Sequence, residues 1–307
     1  MNVKGYIKNF GLFMFLRNGF SRVLRKAKGS RKFLNRYDNY KHKYVEKWLK
    51  EKYWEKDYRI TLPEREVEKR DCNIFVFWWQ GEHNAPEVVQ CCINSIRKRY
   101  GSRLVVLSEA NYKQYCSLPD YIEDKFLKGN ISHAHYSDII RFYLLYYWGG
   151  VWMDATDLLV KDIPEKVFKD DFYTLRNFYD DGLNWKWTSF FIAAKSRGHI
   201  AEEMLEFYYA YWKEYDTAIT YLFLDCWMTV LYENDSLVKS TIDSLRHEKI
   251  YMPFLEVANE KYDLKTYEEM KEESFFFNKL TYKAKFYDYV EEQKTVYKFL
   301  KEQNGIV

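Results

Sequence analysis

Residues 133–157 read HAHYSDIIRFYLLYYWGGVWMDATD, and the fold follows from how this stretch is parsed. Ile139, Phe142, Leu145 and Tyr146 recur at helical spacing, with Leu144 and Trp148 widening the stripe. Gly149 and Gly150 then stop the helix, because glycine takes a left-handed conformation at no steric cost. Val151, Trp152 and Met153 read as a short buried strand that ends on a carboxylate, Asp154. Open α/β sheets bind ligands beyond such strand ends. Asp154 is therefore either a ligand-facing acid or the cap of the following turn, and the stretch by itself leaves both open.

Upstream, NIFVFWW (73–79) is a β-branched and aromatic run that predicts a first buried strand, ending in Gln80-Gly81. Pro86 opens a helix whose apolar face is Val88, Val89, Cys92, Ile93 and Ile96, closed by Arg97, Lys98 and Arg99. RLVVLS (103–108) is a second strand, so the order predicts a right-handed parallel βαβ unit. Residues 109–132 hold short helical pieces around Pro119. Downstream, 171–178 and 187–195 read as strands, and 201–215, 218–232 and 289–302 as helices; 235–285 follows no clear period. The expected class is α/β.

The chain has 307 residues, 47% of them hydrophobic, enough for one large domain. Its net charge of +3 conceals an asymmetry: residues 1–50 hold 14 Lys and Arg against 2 Asp and Glu, and the remainder holds 34 against 43. The first 36 residues interleave Tyr6, Ile7, Phe10, Leu12, Phe13, Phe15 and Leu16 with Lys4, Lys8 and Arg17, and then run through six more basic residues to Lys32. This composition suits a helix lying in the plane of an anionic membrane surface. The competing reading is a basic helix packed on its own domain. A nucleic-acid partner is not expected, since the remaining chain is acidic and carries no binding motif. Residues 37–70 form a charged helical connector with Tyr44, Trp48, Leu49 and Tyr53 as its stripe, broken at Pro63. The expected division is a helical N-terminal extension over 1–70 and a catalytic domain over 71–307.

Five cysteines without a CxxC pair point to reduced thiols in the cytoplasm. Apolar runs fall short of the roughly 20 residues of a spanning helix, and no secretory cleavage pattern follows the N-terminus. The expected location is the inner face of the cell membrane, as a peripheral protein.

Asp138 and Arg141 share a helix face at i, i+3. They are either a helix salt pair or an acid and a guanidinium aimed at a polar ligand beside Asp154. Strand alternation puts Thr156 on the face of Asp154. A second carboxylate there would complete a divalent-cation site, but the residue is threonine. Asp157 faces the other way unless the strand breaks at Thr156. Of Trp78 and Trp79, alternation turns one inward; the other either packs in the core as well or offers a ring to a base, a contact of about 1–3 kcal/mol. The histidines, His133 and His135 included, show no metal-ligand pattern. GxSxG, GxGxxG and P-loop fingerprints are absent.

SDIIRFYLLYYWGGVWMDAT resembles the S-D-x-x-R…L…G-G-x-[YW]-x-D-x-D signature of GT-A sugar transferases, among them the fungal Golgi initiating mannosyltransferases and the glucosyltransferase domains of large clostridial toxins. With FVFWWQGEHNAPEVVQCCINSI before it, the chain is more similar still to the bacterial capsular polysaccharide synthesis proteins, in which D-A-T is the usual form. The resemblance covers residues 73–195 well and the rest loosely. It implies a Rossmann-like GT-A nucleotide-sugar fold, with a mixed, mostly parallel central sheet between flanking helices, and a donor such as a UDP-hexose. Trp79, with Gln80 and Gly81 after it, matches the aromatic that stacks on uracil. Asp138 and Arg141 match the pair that holds the sugar hydroxyls. Asp154, following Gly150, matches the first acid of the DXD motif, which touches ribose and metal. Thr156 stands where the main metal acid is expected, so the substitute ligand for Mn²⁺ or Mg²⁺ is either Asp157 or a C-terminal side chain. Lys279 and Lys283 could neutralise the diphosphate, and Asp225 is the acid to test on the acceptor side. The resemblance also implies retention of anomeric configuration and a lipid-linked glycan acceptor. An inactive membrane-surface scaffold and a sugar-phosphate hydrolase are the competing functions.

Overall fold

The computed structural model describes residues 3–26, 31–67, 73–176 and 186–306. The expected domain start near residue 71 and the end of the strand expected over 171–178 lie outside them.

Among the described residues, five strands form the central sheet: β1 (Ile74–Phe77), β2 (Leu104–Leu107), β3 (Gly150–Met153), β5 (Phe172–Thr174) and β6 (Phe191–Ala194). Their order is β2-β1-β3-β6-β5. β1 pairs parallel with β2 and β3, while β6 runs antiparallel to both β3 and β5. Only β6 opposes the common direction, so the sheet is mixed and mostly parallel, as expected. Helix α3 (Glu87–Tyr100) makes the β1–α3–β2 crossover. A separate two-stranded ribbon pairs β4 (Asp157–Leu159) with β7 (Phe277–Lys279), and its register sets Lys279 opposite Asp157.

Helix α5 (His133–Tyr147) carries the opening stretch. Ser132 caps it, its hydroxyl accepting from the His135 N–H. The helix packs on α7 (His199–Glu214) and is buried along nearly its whole length, so its apolar stripe is wider than one face. The two glycines do different work. Gly149, at φ 67°, ends the helix, and a Cβ there would lie 2.6 Å from the Ser196 nitrogen. Gly150, at φ 108°, starts β3 against the Asn73 carbonyl, where any Cβ would collide with it.

The N-terminal extension is helical: α1 (Val3–Lys26), kinked at Gly11, and α2 (Arg31–Lys52). One side packs inward. Tyr6, Phe10, Met14, Val45 and Leu49 join the common core, α2 lies on α8 (Phe223–Asn234), and the Tyr6 hydroxyl donates to the Ile219 carbonyl at 2.5 Å. The other side exposes large apolar groups: Leu12, Phe13 and Leu16 are 55–56% exposed and Val23 61%. Among the described residues no helix is long and apolar enough to cross a membrane.

Two expectations are corrected. The helix expected over 218–232 begins only at Phe223, because residues 215–222 form a loop in which the Ile219 backbone is tied to the hydroxyls of Tyr6 and Tyr211. The helix expected over 289–302 is a hairpin, β8 (Tyr289–Val290) and β9 (Gln293–Lys294), followed by α11 (Val296–Gln303). Glu291 and Glu292 take positive φ in the hairpin turn, and Thr295 caps α11 through its hydroxyl. The cap and turn override a helical apolar spacing. In the unassigned 235–285 segment, α9 (Ser236–Ser244) and α10 (Leu264–Glu273) are each started by an aspartate cap, Asp235 and Asp263.

Candidate active site

A cavity of about 270 Å³ opens at the C-terminal ends of β1 and β3. β1 contributes Phe77 and then Trp78. β3 contributes Trp152 and then Asp154, Ala155 and Thr156. Asp138 and Arg141 come from α5, Asp225 from α8, and Tyr221 and Tyr282 from the loops above. Parallel neighbours end together, and this is the position at which such sheets bind ligands.

Asp154 is the centre of the polar network. One carboxylate oxygen accepts from Trp152 Nε1 at 3.1 Å and from Arg141 Nη2 at 3.4 Å. The other accepts from Lys279 Nζ at 2.8 Å. Arg141 also donates to Asp138 at 2.6 Å and lies 4.8 Å from the centre of the Trp152 ring. The i, i+3 pair is therefore both a helix salt pair and part of the cavity wall. Burial raises the Asp154 pKa, but Lys279 and Arg141 outweigh it and hold the group below the usual carboxylate range. For Asp138 burial prevails over Arg141, and its pKa lies above that range.

The strand breaks immediately after β3. The Asp157 N–H donates to the Asp154 carbonyl at 2.9 Å, and the Asp154 N–H donates to Asp157 Oδ2 at 3.1 Å. This turn swings the fully buried Asp157 back under Asp154, away from the cavity. Lys279 sits between the two acids, 2.8 Å from Asp154 and 3.0 Å from Asp157. Burial pushes the Asp157 pKa up to about 7 against the pull of Lys279. Burial also works against the Lys279 charge, yet the two aspartates keep its pKa above the lysine norm.

An Mg²⁺- or Mn²⁺-type cation seeks about six oxygen ligands. Here both carboxylates direct oxygens at an ammonium, and Thr156 adds at most a hydroxyl. This donor set does not fit such a cation, and the expectation of Asp157 as a metal ligand gives way to Asp157 as a buried partner of Lys279.

Asp225 lines the cavity and accepts from the Trp187 indole N–H at 3.1 Å. Burial drives its pKa up to about 7, opposed by that N–H, with the charge on Asp138 adding to the rise. The two tryptophans divide as alternation requires, but the other way round from the resemblance. Trp78 lines the cavity and meets Tyr282 edge to face at 5.4 Å. Trp79 packs among Tyr112, Phe126, His133 and Tyr136 and is not part of the lining. Gln80 is exposed, Gly81 takes φ 82° at the start of the next turn, and Gly150 serves the backbone of β3, so none of the three lines the cavity. Lys283 is exposed beside Tyr282.

Tyr221 and Tyr282 carried no signal in the sequence, because loops far apart in the chain bring them in. His135 has a structural role: its ring nitrogens contact Ser132 Oγ and the Tyr221 carbonyl, each at 3.1 Å. Elsewhere His199, Glu203 and Asp235 cluster. They are engaged internally: Asp235 caps α9 and pairs with His199 at 2.8 Å, and Glu203 takes Tyr58 and Arg59 at 2.6 Å.

A family model described as capsular polysaccharide synthesis protein matches residues 26–300. Over 105 residues the chain is 28% identical to the O-glycosyltransferase braB of Annulohypoxylon truncatum, a match covering 31% of this chain and 25% of that protein. Among solved structures, the PaToxG glycosyltransferase aligns with a TM-score of 0.40 at 16% identity, over 68% of this chain and 89% of that one.

Proposed function

The chain belongs to the capsular polysaccharide synthesis protein family, and from that premise we propose that it is a glycosyltransferase of GT-A architecture. It moves a hexose from a nucleotide-sugar, a UDP-hexose, to a lipid-linked oligosaccharide during capsule or surface polysaccharide assembly. The observation that carries this reading is the Asp138–Arg141–Asp154 chain of contacts at the C-terminal end of β3. It sets two acids and a guanidinium, all hydroxyl-binding groups, on the wall of one cavity beside an aromatic ring.

In the transfer, the bond between the anomeric carbon and the β-phosphate oxygen breaks, and the leaving UDP keeps the electron pair. The acceptor hydroxyl oxygen bonds to the same carbon, on the face the diphosphate leaves, and its proton passes to the leaving phosphate oxygen. Retention of configuration follows, and no protein base is required. Asp138 and Arg141 hold the sugar hydroxyls, Asp154 holds the ribose, and Trp78 offers its ring to the base. The oxocarbenium-like transition state is stabilised by the surrounding carboxylates, which their hydrogen bonds hold in place beforehand. Asp225 binds an acceptor hydroxyl. The exposed apolar groups of α1, with the basic excess of the first 50 residues, fit a peripheral site on an anionic inner membrane face, where a lipid-linked acceptor resides.

Asp154→Ala tests the reading. Slow hydrolysis of a panel of UDP- and GDP-sugars by the wild-type protein identifies the donor, and the variant should lose at least a hundredfold of that turnover. Wild-type turnover that survives in Asp154→Ala would refute the assignment. Binding of UDP without any turnover would favour a non-catalytic scaffold.

A further inference from the structure

We propose that Lys279 occupies the position of the divalent cation, so that this protein binds its nucleotide diphosphate without a metal ion. The inference rests on the nucleotide-sugar reading above and specifies how the diphosphate charge is met.

Three observations carry it. First, the Lys279 ammonium stands between the two acids of the Asp154–Asp157 turn, at 2.8 and 3.0 Å. A cation bridging them would have to displace it. Second, the position is built by the backbone. The β4–β7 register sets Lys279 directly opposite Asp157, and Leu280 N–H donates to the Thr156 carbonyl at 2.9 Å, closing the ribbon beside the motif. The Phe190 ring lies 4.8 Å from the ammonium and limits its swing. Third, an ammonium has three donors. One is donated to Asp154, the ammonium also pairs by charge with Asp157, and the side chain keeps 26% of its surface accessible. An N–H is thus left for an oxygen of the leaving diphosphate, beside the cavity that Asp154 lines.

The chemistry balances without a metal. When the anomeric C–O bond breaks, the electron pair stays on the β-phosphate oxygen, and the fixed positive charge of Lys279 meets the charge that develops there. Asp157 never reaches the ligand; it positions Lys279. Asp154 serves both sides, holding the ammonium through one oxygen and Arg141 through the other.

The test is calorimetric titration of UDP and GDP into the full-length protein, in EDTA and in 1 mM Mn²⁺ (roughly the concentration that saturates a weak oxygen site). For the nucleotide that binds, the wild-type Kd in EDTA should be within about threefold of that in Mn²⁺. Manganese EPR should show the same free-ion signal for protein with that nucleotide as for the nucleotide alone at equal concentration. Lys279→Gln should weaken binding in EDTA at least tenfold and recover part of it in Mn²⁺, because the two carboxylates are then open to the ion. Binding that needs Mn²⁺ in the wild-type protein would overturn the Lys279 assignment and leave the nucleotide-sugar reading intact. Absence of binding of either nucleotide in both buffers would overturn the nucleotide-sugar reading, and this inference with it. Thermal melting checks that Lys279→Gln is folded; if it is not, the wild-type comparison and the EPR decide by themselves.

Discussion

Asp225→Asn should make the protein more stable and less active, and the size of the gain follows from the site. The Asp225 carboxyl is 8% exposed, and its only described side-chain donor is the Trp187 indole N–H. Its pKa rises from 3.8 to about 7, by burial first and the neighbouring Asp138 charge after it. In the unfolded chain it ionises near its ordinary value. Between pH 4 and 7 the folded state therefore holds a proton that the unfolded state has released, and stability falls as pH rises through that window. A shift of about three units corresponds to roughly 4 kcal/mol at 1.36 kcal/mol per unit, an upper figure because side chains and water relax around the charge. Asparagine keeps the oxygen that accepts from Trp187 and carries no charge. At pH 8 the variant should gain about 2 kcal/mol or more, and at pH 4 almost nothing. Urea unfolding at pH 5, 6, 7 and 8 measures this. The wild-type slope includes Asp157 and Glu206, whose pKa values also rise to about 7, so the readout is the difference between the two proteins. A variant no more stable than wild type at pH 8, or a pH slope unchanged by the substitution, would refute the reasoning. A gain in stability with a fall in transfer would mark Asp225 as a group kept for function.

Three other outcomes follow from the geometry. Gly150→Ala places a methyl against the Asn73 carbonyl at a positive φ and should cost about 3 kcal/mol or prevent folding, read as a loss of soluble protein or a lower melting temperature. Trp78→Ala should weaken UDP binding by roughly tenfold, in line with base–aromatic stacking, while Trp79→Ala, which empties a packed aromatic cluster, should lower stability more than affinity; titration and melting of both variants separate the effects. Leu12→Asp with Leu16→Asp, at positions 55% and 56% exposed, should reduce sedimentation with vesicles containing phosphatidylglycerol at least fivefold without changing the melting temperature, and unchanged sedimentation would exclude this face as the membrane contact.

Much of the site was legible because it lies within one short stretch. Asp138, Arg141 and Asp154 are separated by a helix, a glycine pair and a strand, and the 3.6-residue and 2-residue periods of those elements fix where each side chain points. The glycine pair was readable as a stop, and the parallel βαβ unit followed from strand, helix and strand in sequence. The same local logic failed at Asp157. Alternation turns it away from Asp154, and only the turn closed by the Asp157 N–H brings it back. It failed again at the hairpin Tyr289–Lys294, where two positive-φ glutamates make a turn inside an apolar spacing that reads as helix.

The sequence by itself determined the parallel β1–α3–β2 unit, the acid at the end of β3 and the basic, aromatic character of the N-terminus, since each is a pattern written in neighbouring residues. The tertiary structure alone decided three things. It chose Trp78 over Trp79 for the cavity, through the twist and packing at the end of β1. It divided the N-terminal rings between the core and the solvent. And it brought Lys279, 125 positions beyond Asp154, between two acids of the motif, because a β-ribbon register is set by pairing across the fold and leaves no periodic mark in either segment.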